Sequence, residues 1–356
     1  MAAQVFGTQF NLFDLHNVEE DVTLKHCLRA FTILPKYCEF SDDRNKHAEE
    51  IVLTLKEIEK KAKMTFGIDW RKNWIERIGL KIKTESIGLW IIGRSPIPLI
   101  ALEKLKDMGF KREIDHIMSI VTYVSSSTQD IVKIPRFLTP DILYLTGLLL
   151  SDGYLQRTNR KNENSFLYGV YIFSGDKSLL ENEVIPILKS TFDFSNVRLV
   201  YRRRAWTMSK RNKVLFRFFT RIIDIPYGKK SIKSKIPQIV WSIDPEKAIP
   251  FLAGLIDGDI GRHGKSMGGT FRSEKFVDDV ISYLDKLGVR VIKRKTNILK
   301  TGYIQNELYI PKDQVEVLKD IMVRTYLPKR LDRLNILFCR GTKAVKIASS
   351  VPGFGS

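Results

Sequence analysis

Apolar residues first fall into helical register after Asp42. Ile51, Leu55, Ile58 and Ala62 recur three or four apart with Lys56, Lys60 and Lys63 on the opposite face, which predicts one long helix over about 44–64 with Asp42 or Asp43 as its cap. The segments 70–80, 84–93 and 96–109 are each about one helix long with short connections, a spacing compatible with a helix-turn-helix. The first 40 residues mix apolar and acidic positions without a clean period and are read as irregular or short helical structure. At 123–140, YVSSSTQDIVKIPRFLTP combines a Ser/Thr cluster with two prolines, so the chain is expected to pass through a linker there.

Past that stretch the pattern occurs twice. ILYLTGLLLSDGYL (142–155) and IPFLAGLIDGDIG (249–261) are two similar apolar helices, and their aspartates Asp152 and Asp259 stand 107 residues apart. The first is followed by strand-like YLQRTNRK and FLYGVYIFS, a helix LLENEVIPILKSTF, strands VRLVYRRR and VLFRFFT, and the basic helical stretch GKKSIKSKIPQIV. The second is followed by a hairpin GRHGKSMGGTFRS, a helix KFVDDVISYLDKLG, strands VRVIKRK and YIQNELYI, and a helix DQVEVLKDIMVR. An αββαββα unit therefore occurs twice, and a repeat of this length predicts an α+β fold with a pseudo-two-fold pair of units. The expected organisation is a mainly helical extension over 1–135, first and second halves over 136–240 and 241–340, and a tail over 341–356.

Charge sharpens this division. Residues 1–135 carry 20 Lys+Arg against 19 Asp+Glu, whereas residues 136–356 carry 39 against 21, so nearly all of the +19 net charge lies in the repeated part. Such an excess points to a polyanion as partner. Cys27, Cys38 and Cys339 make neither a disulfide framework nor a zinc site, so a reducing compartment is expected, cytoplasmic or organellar. No run of 18 apolar residues and no secretory signal pattern occurs, so no membrane association is expected.

The two apolar helices carry the chemistry. Gly147 and Ser151 are four apart, as are Gly254 and Gly258, and small residues at that spacing let two helix backbones approach closely. Asp152 and Asp259 follow directly, so packing through Gly147 and Gly254 would bring two carboxylates together at one end of the interface. Carboxylates forced close share a proton or bind a divalent cation, and beside a phosphate-binding surface the cation fits better.

LTGLLLSDG (145–153) and LAGLIDGDI (252–260) resemble the two motifs of a LAGLIDADG homing endonuclease with both halves on one chain, a resemblance that covers about residues 136–335. The second motif agrees at seven of nine positions; the first departs at Leu150, where the family often has an acidic residue, and the second at Ile260, where it usually has glycine. The resemblance implies a monomer that cuts both strands of double-stranded DNA at a long asymmetric site. Asp152 and Asp259 would hold Mg²⁺ or Mn²⁺, with the carbonyls of Ser151 and Gly258 as further candidate ligands. It also implies an assisting lysine in each half: Lys329 in the second, and in the first one of Lys229, Lys230, Lys233 and Lys235, with Lys235 preferred because Pro237 mirrors Pro328 beside Lys329.

DNA contacts would come from the two sheets. Strand alternation predicts that Arg198, Arg202 and Arg204 project together, and likewise Arg290 and Arg294, with Lys293 and Lys295 opposite. Gln156, Asn159 and Arg160 on the first hairpin, and Arg272 and Gln305 in the second half, are further candidates. Residues 60–94 carry a local net of +6, and IGRSPIPLIALEKL is similar to helix-turn-helix accessory segments of intein endonucleases. Self-splicing is not expected, since no Cys or Ser nucleophile opens the chain. The competing reading is a catalytically silent binder on the same scaffold, either an intron RNA maturase or a helix-turn-helix transcriptional regulator. A structural protein-interaction role would need a partner that covers the basic sheets.

Overall fold

The computed structural model describes residues 7–16, 27–30, 42–126, 131–160, 165–194, 196–228, 230–263, 266–296 and 305–326. The fold is α+β, with three antiparallel four-stranded sheets among the described residues. The chain divides into two compact units, one of residues 1–142 and 153–228, the other of residues 143–152 and 229–356.

In the first unit, the N-terminal part holds helices α1 (Asp42–Phe66), α2 (Trp70–Ile78), α3 (Thr84–Ile91), α4 (Leu99–Asp107) and α5 (Lys111–Ile120). Trp70 and Trp74, one turn apart on α2, stack at 5.8 Å, Trp90 meets Trp74 edge-on, and the Trp74 indole N–H donates to the Ala101 carbonyl at 3.0 Å. Burying three indoles on one helix junction supplies much of the apolar area that holds α2, α3 and α4 together. Alongside lies a small sheet not foreseen from the sequence, ordered β2-β1-β3-β4: β1 (Arg29–Ala30), β2 (Ile97–Pro98), β3 (Tyr123–Ser125) and β4 (Ile131–Lys133). The stretch expected as a linker thus supplies a strand pair. Val124 and Val132 are both fully buried, and burial of two β-branched residues outweighs the turn-forming Ser/Thr composition around them.

The helix-turn-helix spacing also falls elsewhere than expected. Residues 92–98, with β2 inside them, separate α3 from α4, whereas α4 and α5 are joined by three residues with Gly109 at φ 101°. Four of the nine cations of 60–94 are paired with carboxylates. Lys61 pairs with Glu57 and Glu113, Lys63 and Arg71 with Glu59, and Lys72 with Asp69.

The first repeat begins with α6 (Pro140–Leu150), which ends in the second unit and leads into β5 (Gly153–Arg160) and β6 (Ser165–Ser174). A helical run follows, α7 (Lys177–Leu179), a π-helical turn at Leu180–Val184 and α8 (Ile185–Phe192), and then β7 (Arg198–Arg202) and β8 (Ala205–Lys210). VLFRFFT is not the fourth strand but helix α9 (Lys213–Arg217) and a π-helical turn at Phe218–Ile222. The Asn212 side chain caps it by accepting the Leu215 N–H at 2.7 Å, and Val214 to Phe219 are all buried, so burial on every side removes the alternation that would mark a strand.

The second unit adds α10 (Lys230–Lys233), α11 (Gln238–Trp241), α12 (Ile249–Gly258), β9 (Gly261–His263), β10 (Ser266–Phe271), α13 (Glu274–Lys286), β11 (Ile292–Thr296), β12 (Gln305–Ile310) and α14 (Lys312–Tyr326). The sheets of the two repeats are ordered β5-β6-β8-β7 and β11-β12-β10-β9. Numbered within each repeat, both read 1-2-4-3, so the duplication seen in the sequence extends to strand topology. Among the described residues no helix is long and apolar enough to cross a membrane.

Candidate active site and nucleic-acid face

α6 and α12 are deeply buried: Leu143, Leu145, Leu148, Leu252 and Leu255 have no measurable exposure. What fixes their approach is the absence of side chains at two points. A Cβ on Gly147 would lie 2.0 Å from the Phe251 carbonyl oxygen, and one on Gly254 would lie 2.2 Å from the Tyr144 carbonyl oxygen. The contacts are reciprocal, since Tyr144 and Phe251, like Gly147 and Gly254, stand 107 residues apart. Backbone therefore rests on backbone, as the spacing predicted.

One turn further on, the symmetry is broken in a complementary way. A Cβ on Gly258 would fall 2.0 Å from the Ser151 hydroxyl oxygen, so the serine of one helix fills the room left by the glycine of the other. That hydroxyl is held by the Gly147 and Leu148 carbonyls, each at 3.1 Å. A second asymmetric pair crosses the seam: the hydroxyl of fully buried Tyr144 donates to the Asp257 carboxylate at 2.6 Å. The positions related by the 107-residue offset carry Phe251 and Leu150, both apolar. Leu150, the first motif's departure, thus goes with the loss of a hydroxyl at Phe251. The two changes match.

Asp152 and Asp259 follow this seam. Asp152 is half-buried in the turn after α6; Asp259 is exposed, caps α12 and sends its N–H to the Leu255 carbonyl at 3.0 Å. A Cβ on Gly258 would be 3.3 Å from the Asp152 amide nitrogen, which sets the two chain segments side by side. The Asp259 carbonyl rests on β10, where a Cβ on Gly269 would come within 2.6 Å of it. Both acids sit at helix C-termini, where the macrodipole is already negative and a carboxylate costs about 0.3–1 kcal/mol; a cation there would relieve the strain. Carboxylates and main-chain carbonyls are hard-oxygen donors, the kind that suits Mg²⁺ when phosphates and water complete its shell. Among the described residues no group of three or more His, Cys, Asp or Glu side chains could hold a metal by itself.

Lys235 is exposed, and the chain around it is clasped by α13. The Ser273 hydroxyl donates to the Ser234 carbonyl at 2.6 Å, and the Asp279 carboxylate accepts the Ile236 N–H at 3.0 Å. Asp279 is itself buried and paired with Lys275. These anchors stand some 40 residues from Lys235 in the chain, and no local motif announces them. Lys329 lies outside the described residues.

The first repeat's sheet has one apolar face, with Leu155, Val170, Ile172 and Met208 buried, and one open face. The open face borders a hollow of about 860 Å³ lined by Gln156, Arg198, Arg202, Arg203 and Arg211 together with three aromatic rings, and no carboxylate lines it. Arg198 and Arg202 project together as expected. Arg204 does not belong to their row, because β7 ends at Arg202 and Arg203–Arg204 form a two-residue hairpin turn with φ 51° and 65°. Such a turn ordinarily takes Asn-Gly, and left-handed backbone costs other residues roughly 1–2 kcal/mol each. Asn159 alternates onto the face opposite Gln156, and Arg160 ends the strand, paired with Ser165.

In the second repeat's sheet, Arg290 precedes β11 and turns to the start of α14, where its guanidinium pairs with Asp313 at 3.3 Å. Arg294 pairs in register with Glu307, and Gln305 with Thr296. Lys293 is bound on the helix side by Glu274 and Asp278, opposite as expected. Arg272 is exposed, and its carbonyl accepts from Asn306.

No protein-family model matches the sequence, and no curated protein matches it. Similar solved structures include the homing endonuclease I-DmoI in complex with DNA and Mn, at 20% identity over 54% of this chain and 98% of that one, with a TM-score of 0.43. The homing endonuclease I-WcaI bound to its DNA recognition sequence is 16% identical over 56% and 85% of the two chains, with a TM-score of 0.38. Full-length DUF199/WhiA from Thermatoga maritima is 11% identical over 57% and 61%, with a TM-score of 0.34.

Proposed function

We propose that this chain is a divalent-metal-dependent, site-specific endonuclease of the LAGLIDADG homing type that acts on double-stranded DNA as a monomer. The observation that carries the reading is the reciprocal glycine seam of α6 and α12, which ends in Asp152 and Asp259. The two carboxylates would hold Mg²⁺ or Mn²⁺, with the Ser151 and Gly258 carbonyls beside them. When bound, the metal supplies a nucleophilic water at neutral pH and charge for the leaving oxygen. Lys235 would donate to a phosphate oxygen, its main chain fixed by Ser273 and Asp279. Arg198, Arg202, Arg203 and Arg211 would hold backbone phosphates and base edges.

The test uses a plasmid that joins the DNA flanking the gene, with Mg²⁺ present. Wild type should linearise it. Asp152→Asn and Asp259→Asn should each abolish double-strand cutting and leave binding intact; a double variant that cuts like wild type would overturn the proposal.

A further inference from the structure

The open face of the first repeat's sheet is more than basic. Tyr154 on β5 is the ladder partner of Tyr171 on β6, and Phe173 follows Tyr171 on the same face. Tyr154 and Phe173 are each 37% exposed, and all three rings line the hollow with the arginines. Aromatic rings standing open on a polar sheet contribute little to a core, because the core of this sheet lies on its other side.

The orientation of Tyr171 is specific. Gly169, two residues earlier and on the same face, leaves room that the tyrosine occupies: a Cβ there would lie 2.6 Å from one ring carbon and 3.0 Å from the hydroxyl. The ring therefore lies along the strand over Gly169 and borders the hollow. Tyr154 stands 6.2 Å away, tilted by 44°. Across the sheet, Arg198 and Arg202 on β7, with Arg203 and Arg211, supply charge for phosphates.

A paired duplex hides its base faces in the stack and shows a protein only edges and phosphates. Flat aromatic faces are of use to bases that are not stacked on each other, and rings beside a track of arginines are the arrangement that binds single strands with little sequence preference. We infer that this sheet binds single-stranded nucleic acid, with unpaired bases stacked on Tyr171 and its neighbours Tyr154 and Phe173 and the phosphates held by the arginines. This goes beyond duplex cleavage and does not depend on Asp152 or Asp259.

The experiment measures fluorescence anisotropy of the full chain in EDTA, so that cleavage plays no part. The probes are oligo(U), oligo(dT) and a mixed-sequence duplex, each of about twelve nucleotides. Tyr171→Leu should weaken single-strand binding roughly tenfold, the loss expected for one stacked base, and leave duplex affinity within about twofold. Gly169→Val, which displaces the ring without removing it, should act in the same direction, while Arg198→Ala should weaken both probes and flatten the salt dependence. The oligo(U) and oligo(dT) arms separate an RNA ligand from a melted DNA strand, and a Tyr171-dependent interaction with either supports the inference. Equal losses for single strand and duplex in folded Tyr171→Leu, or wild-type single-strand binding no tighter than that of Arg198→Ala, would overturn it. Cleavage of the duplex target by Tyr171→Leu reads the nuclease separately.

Discussion

The pairing of Tyr144 with Asp257 across the helix seam allows a quantitative test of the duplication. A hydroxyl that donates to a carboxylate in a part-buried site contributes about 1.5–3 kcal/mol. Asp257 is only half-buried and can regain water, so Tyr144→Phe should cost near the lower end, about 1.5 kcal/mol. Tyr144 is fully buried, and Asp257→Leu would strand its hydroxyl at a cost of about 1–3 kcal/mol. The double variant Tyr144→Phe/Asp257→Leu places at this end of the seam the pair that Phe251 and Leu150 already form by position at the other.

The double variant should therefore lose less than either single change would suggest, with a coupling energy of about 2 kcal/mol in its favour. Urea unfolding of the four proteins gives the cycle directly, and thermal melts should follow at about 2–4 °C per kcal/mol. Since neither position carries a proposed metal ligand, the double variant should keep nuclease activity. A loss equal to the sum of the two single losses would refute the argument that polar and apolar pairs are alternative solutions at equivalent positions.

Other outcomes follow from the same geometry. Gly254→Ala places a Cβ 2.2 Å from the Tyr144 carbonyl oxygen, a clash of backbone with backbone that rotamers cannot relieve; a cost at or above about 3 kcal/mol is expected in denaturant melts, with loss of cutting. Arg203→Asn/Arg204→Gly relaxes the hairpin turn and should stabilise the chain by about 1–2 kcal/mol while weakening nucleic-acid binding, read by calorimetry and anisotropy on one sample. The Glu113 carboxyl is held below the usual range first by its hydrogen bond from Lys61. With its folded pKa lowered, Glu113 contributes stability above the ordinary glutamate pKa of about 4.3 and loses it as pH falls through the lower folded value. Glu113→Gln should accordingly flatten the acid limb of a stability-against-pH curve; an unchanged limb would remove Lys61 as a partner in solution.

What the sequence disclosed was local and repeated; what it hid was made by distant residues or by burial. The helix seam was legible because Gly147, Gly254 and the aspartates after them encode backbone contact in residue identity alone, and a second copy at the 107-residue offset removes coincidence. Alternation likewise found Arg198 and Arg202, but it failed at Arg204, since period two holds only as far as the strand does and the Arg203–Arg204 turn carries none of the Gly or Asn that ordinarily marks one. VLFRFFT was misread for the opposite reason: a segment buried on all sides has no polar face to give it a period, and the deciding signal was the single cap Asn212. The clasp on Lys235 was invisible, because Ser273 and Asp279 resemble an ordinary helix start until the fold brings Ser234 and Ile236 to them. Net charge was informative only by region. In residues 60–94 Lys61, Lys63 and Arg71 are met by Glu57, Glu59 and Glu113 from outside the window, which takes up half of the excess of six, whereas on the first repeat's sheet the arginines line a hollow that no carboxylate borders. A count of charges predicts a polyanion partner only where the fold leaves those charges unanswered, and here that place is the face that also carries Tyr154, Tyr171 and Phe173.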